Sequence, residues 1–389
     1  MGHNVKVLHA SNNPTRYVTN TNHIKHTDDL PIDLEVRAVN EFYNQSSRIK
    51  HSIINFFPKK LVSIFLNIKL LIFGDEGNWD NKSNFNSALS LLGDFKPDLL
   101  ISTSGPIENH IFCSRFKALY ESYWVAEYRD SWSYNPMQPG TSPSDISSKI
   151  LRIKERRVIK DLDLILAVSP IIHHYYQSYF NKRSYLILSG WLESQVNLPE
   201  PQYIHHTHTH KMKLLHLGSM LLGKRSPIPI IDLFEEDSVM RDSFDIFFIG
   251  RDTALYNPYL SDTKHAKSSI HLIPEVNFHQ ARAEGLNADI LLLLMMDDPG
   301  EQHVVTGKIY EYIYLNKPII IIDSNQSQAS QLIKEYKLGY LCKSMIEFQA
   351  LMIKISASGL LRLESNDARE KFNVTNTMKE FMTYVESIK

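Results

Sequence analysis

The sequence predicts an α/β chain built from doubly wound parallel sheets in two halves, and three observations carry that expectation. Short apolar runs rich in β-branched residues alternate with longer mixed segments, which is the rhythm of βαβ units. Several of those runs are apolar from end to end, as strands covered on both faces are. At 389 residues the chain is too long for one comfortable core and long enough for two.

The expected strands fall in order at Val5–His9, Leu99–Ser102, Trp124–Glu127, Leu164–Val168 and Tyr185–Leu188 in a first half over 1–190. A change of composition follows over 191–211, where Pro199, Pro201 and His205, His206, His208 and His210 read as a linker. These histidines have no acidic or cysteine partner beside them, so they make a poor metal site. The second half, over 212–365, carries strands at Lys213–Leu217, Asp245–Ile249, Ile270–Leu272, Ile290–Leu294 and Ile319–Ile322. The last segment, 366–389, reads as a helix with Phe372, Met378, Phe381, Met382 and Val385 as its apolar positions.

Composition narrows the function classes. Lys and Arg number 42 against 43 Asp and Glu, a net charge of −1 that offers no basic surplus for a nucleic-acid partner. Cys113 and Cys342, the two cysteines, are far apart in sequence and suggest neither a disulfide framework nor a four-ligand metal site, and a reducing cytoplasm fits them. The apolar stretch Ser52–Phe73 is broken by Pro58, Lys59 and Lys60 and falls short of the roughly 20 residues a spanning helix needs. It reads as a helix packed on a sheet, or as a peripheral contact at the inner face of a membrane.

Several residues could carry chemistry. Gly218 and Ser219 follow a strand, and Gly223-Lys224-Arg225-Ser226-Pro227 precede a helix; glycines and two adjacent cations past a strand suit a diphosphate, although a solvated surface pair is the rival reading. Thr306-Gly307 open a helix that begins at Lys308 and ends before Lys317-Pro318. Glu311 on its first turns has two carboxylate oxygens for the hydroxyls of a ribose, or is a helix residue favoured by the dipole. In the first half, Thr103-Ser104-Gly105-Pro106 and Tyr128-Arg129-Asp130 follow strands. His110 could bind a sugar or handle a proton, or could line a pocket wall. Asp130 could accept a proton or a hydrogen bond, or pair with Arg129.

Five segments then occur in one order: ISTSGPIENH from Ile101, AEYRDSW from Ala126, LAVSP from Leu166, HLGSMLLGKRSP from His216 and GKIYEYIYLNKPIII from Gly307. Together they resemble the retaining GT-B glycosyltransferases of bacterial lipopolysaccharide, capsule and exopolysaccharide synthesis. The resemblance implies two Rossmann-like domains whose parallel sheets face across a cleft, with the final helix crossing back to the first domain. It implies a nucleotide diphosphate sugar in the second domain and a glycan or lipid-linked acceptor in the first. Lys224 and Arg225 fall on the diphosphate-binding cations, Glu311 on the ribose-binding glutamate and His110 on a histidine near the donor sugar. Pro274 to Asn277, with Val276, would border the base. The helix start near Gly307 would stabilise the leaving diphosphate, and Thr306 and Lys308 beside it would belong to the donor site. No cofactor or metal is implied.

Two departures qualify the resemblance. A second glutamate that the family carries upstream of Glu311 falls on His303 here, with Glu301 two residues before it. The family also opens with a strand, a glycine-rich loop and a helix before a segment like GHNVKVLHAS, so a first βα unit of roughly 30 residues is expected to be missing. Both keep open a non-catalytic relative that binds nucleotide or a partner transferase. A nucleotide-sugar epimerase shares the architecture, although acidic and basic groups around the sugar cannot be placed for it.

Overall fold

The computed structural model describes residues 5–10, 34–39, 82–104, 107–134, 146–193, 197–204, 210–220, 225–295, 306–359 and 367–389. Ser52–Phe73, Gly223, Lys224, His303 and most of the histidine run lie outside the described residues. The chain divides into two compact units, Met1–Ile187 and Leu188–Lys389.

The first unit contains β1 (Val5–Ala10) paired in parallel with β2 (Leu34–Val39), and a four-stranded sheet. That sheet runs β3 (Leu99–Thr103), β4 (Tyr123–Tyr128), β5 (Leu164–Ala167) and β6 (Ser184–Leu186), all parallel. Helices α1 (Lys82–Leu92), α2 (Glu108–Lys117), α3 (Ile146–Val158) and α4 (Pro170–Phe180) intervene. The LAVSP segment explains where α4 starts. Ser169 is its N-cap, accepting from Ile172 N at 3.4 Å, and Pro170 occupies the first turn, where its missing N–H costs nothing.

The second unit has one six-stranded parallel sheet: β7 (Met212–Leu217), β8 (Phe244–Ile249), β9 (Ile270–Ile273), β10 (Ile290–Leu294), β11 (Ile319–Ile322) and β12 (Gly339–Cys342). Its order is β9-β8-β7-β10-β11-β12, so the direction of winding reverses between β7 and β10. Alternation along the strands splits the core in two. Leu215, Leu217, Phe247, Ile249, Leu291 and Leu293 bury on one face, and Leu214, Ile246, Phe248, Ile290, Leu292 and Ile320 on the other. Each such side chain contributes about 1.5–3 kcal/mol of transfer free energy, which is why these strands are apolar from end to end.

The helices of this unit are α5 (Ile228–Glu236), α6 (Ser238–Ser243), α7 (Asn257–Asp262), α8 (Phe278–Asn287), α9 (Lys308–Leu315), α10 (Gln328–Glu335), α11 (Met345–Ser358), α12 (Ala368–Lys371) and α13 (Val374–Ile388). Asn316 ends α9 in the left-handed conformation, and Pro318 prevents its resumption before β11. The segment expected to link the halves packs into this unit. Trp191 and Ile204 are buried in its core, and the N–H groups of Gln202, Tyr203 and Ile204 donate to the Glu284 carboxylate. Among the described residues no helix is long and apolar enough to cross a membrane.

Candidate nucleotide-sugar site

The second sheet opens at its reversal point. Strands β7 and β10 pair only through Leu214–Ile290 and Leu215–Leu291, and beyond that they separate. The backbone groups exposed by the separation are met by side chains. His216 Nδ1 donates to Leu292 O at 3.0 Å, and the Tyr312 hydroxyl donates to the same oxygen at 3.1 Å. Tyr312 also accepts from Leu217 N at 2.9 Å, so α9 inserts a phenol between the two strands. Such a crevice at the C-terminal ends of parallel strands is where doubly wound sheets bind ligands.

Glycine shapes its floor. Gly218 follows β7 with φ +126°, and its N–H donates to Ile249 O at 2.8 Å. A Cβ there would overlap the Cε and Nζ of Lys308, so the lysine chain lies directly over Gly218. Gly250 follows β8 with φ +159°, and a Cβ on it would overlap the carbonyl of Gly218. Gly218→Ala is therefore expected to fold with a loss of about 1–3 kcal/mol from backbone strain, with Lys308 displaced. Thermal unfolding and nucleotide titration check it: a variant with native midpoint and native affinity would show that the close approach is dispensable.

Cations gather at this end. Arg225 is half-buried just before α5. His216 is held well below its ordinary pKa, first by burial and then by the charges of Lys308 and Arg225. Thr306 and Gly307 lead into α9, where Thr306 Oγ1 accepts from Lys308 N at 3.3 Å and Gly307 occupies the cap position without a capping side chain. The start of α9 adds its own partial positive charge.

Glu311 lies on the next part of α9 and is engaged by a residue the sequence did not flag. Arg282 on α8 donates from Nε to Oε1 at 2.5 Å and from Nη2 to Oε2 at 3.1 Å. Pro274 is exposed just after β9, and Val276 is half-buried against the core. Gly218 and Lys308 thus meet at the reversal point, Thr306, Gly307 and Glu311 lie on the start of the same α9, Arg225 precedes α5, and Pro274 and Val276 follow β9, the outer strand of the same sheet. Arg282, Tyr312, His216 and Gly250 were missed. Only Gly250 had a sequence signal, a glycine closing an apolar strand.

The two first-half residues occupy the other unit. His110 on α2 is fully buried, with Nδ1 2.8 Å from Ser102 Oγ, and Trp124 Nε1 donates to that oxygen at 2.9 Å. Burial lowers the imidazole from 6.5 to about 3, so it is neutral at physiological pH. Asp130 is exposed in the turn after β4, and Ser104 Oγ accepts from Arg129 N at 2.8 Å beneath it.

The same turn is anchored by a buried carboxyl group. Glu155 on α3 accepts from Ser133 Oγ and from the Tyr176 hydroxyl, both at 2.5 Å. Burial raises it from 4.5 to about 7, against the opposing hydrogen bonds. A raised folded-state pKa stabilises fully below the unfolded value and is lost as pH rises through the folded value. The displacement from 4.5 to about 7 is worth on the order of 3 kcal/mol, lost between about pH 4.5 and 7. Denaturant melts of wild type and Glu155→Gln are expected to differ in pH slope across that window; parallel curves would mean that Glu155 does not titrate there.

No family model and no curated protein matches the sequence. Solved structures do match its architecture. A glycosyltransferase from Rickettsia africae ESF-5 superimposes with a TM-score of 0.57 at 12% identity, covering 85% of this chain and 88% of its own. HepE from Anabaena in complex with UDP gives 0.54 at 12%, covering 78% and 82%. The lipopolysaccharide outer core galactosyltransferase WaaB, in its apo form, gives 0.50 at 12%, covering 92% and 85%. At that identity the likeness speaks for architecture alone, and the architecture it shows is the α/β GT-B fold of glycosyltransferases.

Proposed function

We propose that the chain is a retaining glycosyltransferase that moves a sugar from a nucleotide diphosphate sugar to a glycan or lipid-linked acceptor of a surface polysaccharide. The observation that carries this reading is Lys308 laid over Gly218 at the reversal point of the second sheet. It sets a cation and a helix start where a diphosphate would lie. HepE, a neighbour in fold, is recorded with UDP and with UDP-glucose, which supports a nucleotide sugar as the ligand class. WaaB supports the choice of a surface polysaccharide.

In this mechanism the bond between the anomeric carbon and the β-phosphate oxygen breaks, and the acceptor oxygen bonds to that carbon on the same face. The acceptor proton passes to the departing phosphate oxygen. Negative charge grows on the diphosphate, and Lys308, Arg225, Lys224 and the start of α9 stabilise it without a metal. Glu311 holds the ribose hydroxyls, and the turn with Pro274 and Val276 borders the base. His110 contributes as a neutral group. With Trp124 donating to Ser102, the serine hydrogen is available to His110 Nδ1, and the imidazole, buried against Tyr128, supports the wall of the site from within. Asp130 stays a candidate acceptor for the incoming hydroxyl. The acceptor would be met at the cytoplasmic face of the membrane, with 52–73 as its peripheral contact.

Nucleotide release from a panel of nucleotide sugars, with and without lipid-linked or glycan acceptors and with and without EDTA, tests the proposal. Release that requires an acceptor and survives EDTA is expected. His303 in place of the family glutamate favours a second reading, a nucleotide-binding relative without turnover, which saturable binding with no release under any acceptor would establish. Isomerised donor would instead make the chain an epimerase.

A further inference from the structure

Glu311 does not stand alone at the start of α9. Arg282, 1% exposed, reaches it from α8 through both Nε and Nη2, at 2.5 and 3.1 Å. The same Nη2 donates to Leu192 O at 2.7 Å, so the guanidinium is fixed at a second point. The rings of Phe278 and Tyr314 pack on it at 4.4 and 4.0 Å. Tyr314 is itself held by Trp191, with ring centroids 5.0 Å apart. A planar fork locked in this way can hold a carboxylate in one orientation, which a lone lysine cannot do. The carboxylate has about four lone-pair positions, of which the fork occupies two. The fork leaves two for further donors, and the Glu311 side chain is 20% exposed.

We infer that Arg282 is a positioning residue for nucleotide recognition, presetting the Glu311 carboxylate so that its open lone pairs meet the two ribose hydroxyls. The inference rests on the nucleotide-binding reading above. It separates the role of Arg282 from that of the cations at Lys308 and Arg225. Those would act on phosphate, and Arg282 only on the ribose through Glu311. Arg282→Lys keeps the charge and removes the fork, so it isolates orientation from electrostatics.

The experiment is calorimetric titration of the full chain with uridine, guanosine and adenosine diphosphates and with their 2′,3′-dideoxy forms. Wild type is expected to bind at least one diphosphate and to lose about tenfold or more when both ribose hydroxyls are removed. Arg282→Lys and Glu311→Gln should each weaken the ribose form about tenfold and leave the dideoxy form unchanged. Tyr314→Leu, which loosens the clamp but keeps both charges, should show the same selective pattern and serves if Arg282→Lys does not fold. Equal losses for ribose and dideoxy forms, or no loss in either, would overturn the inference while nucleotide binding stood. Wild type binding none of the diphosphates would overturn the nucleotide reading, and this inference with it.

Discussion

Glu311→Ala is expected to weaken nucleoside diphosphate binding roughly 100-fold and to destabilise the second unit by about 3 kcal/mol. Two separate losses produce this. In the proposed site, binding loses a charged acceptor for two ribose hydroxyls. Stability falls because Arg282, 1% exposed, is left without its carboxylate in the interior. The Leu192 carbonyl and the rings of Phe278 and Tyr314 remain around the guanidinium, which keeps the cost at the lower end for a broken buried pair. Titration calorimetry and denaturant unfolding read the two effects separately. A variant with unchanged affinity would remove Glu311 from the site, whatever its stability.

Lys308→Met is expected to act in the opposite proportion, with little change in stability and a fall in turnover of roughly 100- to 1,000-fold. Methionine keeps an apolar chain over Gly218, so the floor of the crevice stays covered. What disappears is the positive charge that the proposed mechanism sets against the diphosphate, where it matters most when the leaving group gains negative charge. The loss should therefore appear in kcat and kcat/KM more than in KM, as steady-state kinetics with saturating acceptor would show. A rise in KM with kcat untouched would make Lys308 a binding residue only.

The parts of the fold that the sequence disclosed are those governed by burial on two faces. Runs such as Ile290–Leu294 and Ile319–Ile322 are apolar throughout because helices cover both sides of the sheet, and they fall where the pattern places them. Strand β2, LEVRAV, escaped notice because Glu35 and Arg37 interrupt its apolar run. Strand β12, GYLC, opens on Gly339 at φ +155°, and a glycine there reads as a turn. The order of strands around β7 and β10 is a property of pairing between distant segments, and no local pattern contains it.

The candidate site divides in the same way. Gly218, Gly307, Lys308 and Glu311 stand in short segments whose chemistry is local, a strand end and a helix start. Arg282 meets Glu311 across two helices, and an arginine inside FHQARAEGLN carries no mark of its partner. Tyr312 is one of several aromatic residues on α9, and nothing in KIYEYIYL singles out the hydroxyl that bridges the parted strands. His110 shows the limit from the other side. Sugar binding, proton handling and a place in a pocket wall are all open to it in the sequence, and burial, which no motif displays, makes it a neutral group.

Titration of the full chain with UDP, GDP, ADP and TDP, in wild type and in Lys308→Met, bears most directly on the second sheet as a nucleotide site. Saturable micromolar binding of at least one of them, weakened tenfold or more by the substitution, is the predicted result. No binding of any of the four at millimolar concentration, or binding indifferent to Lys308, would contradict it.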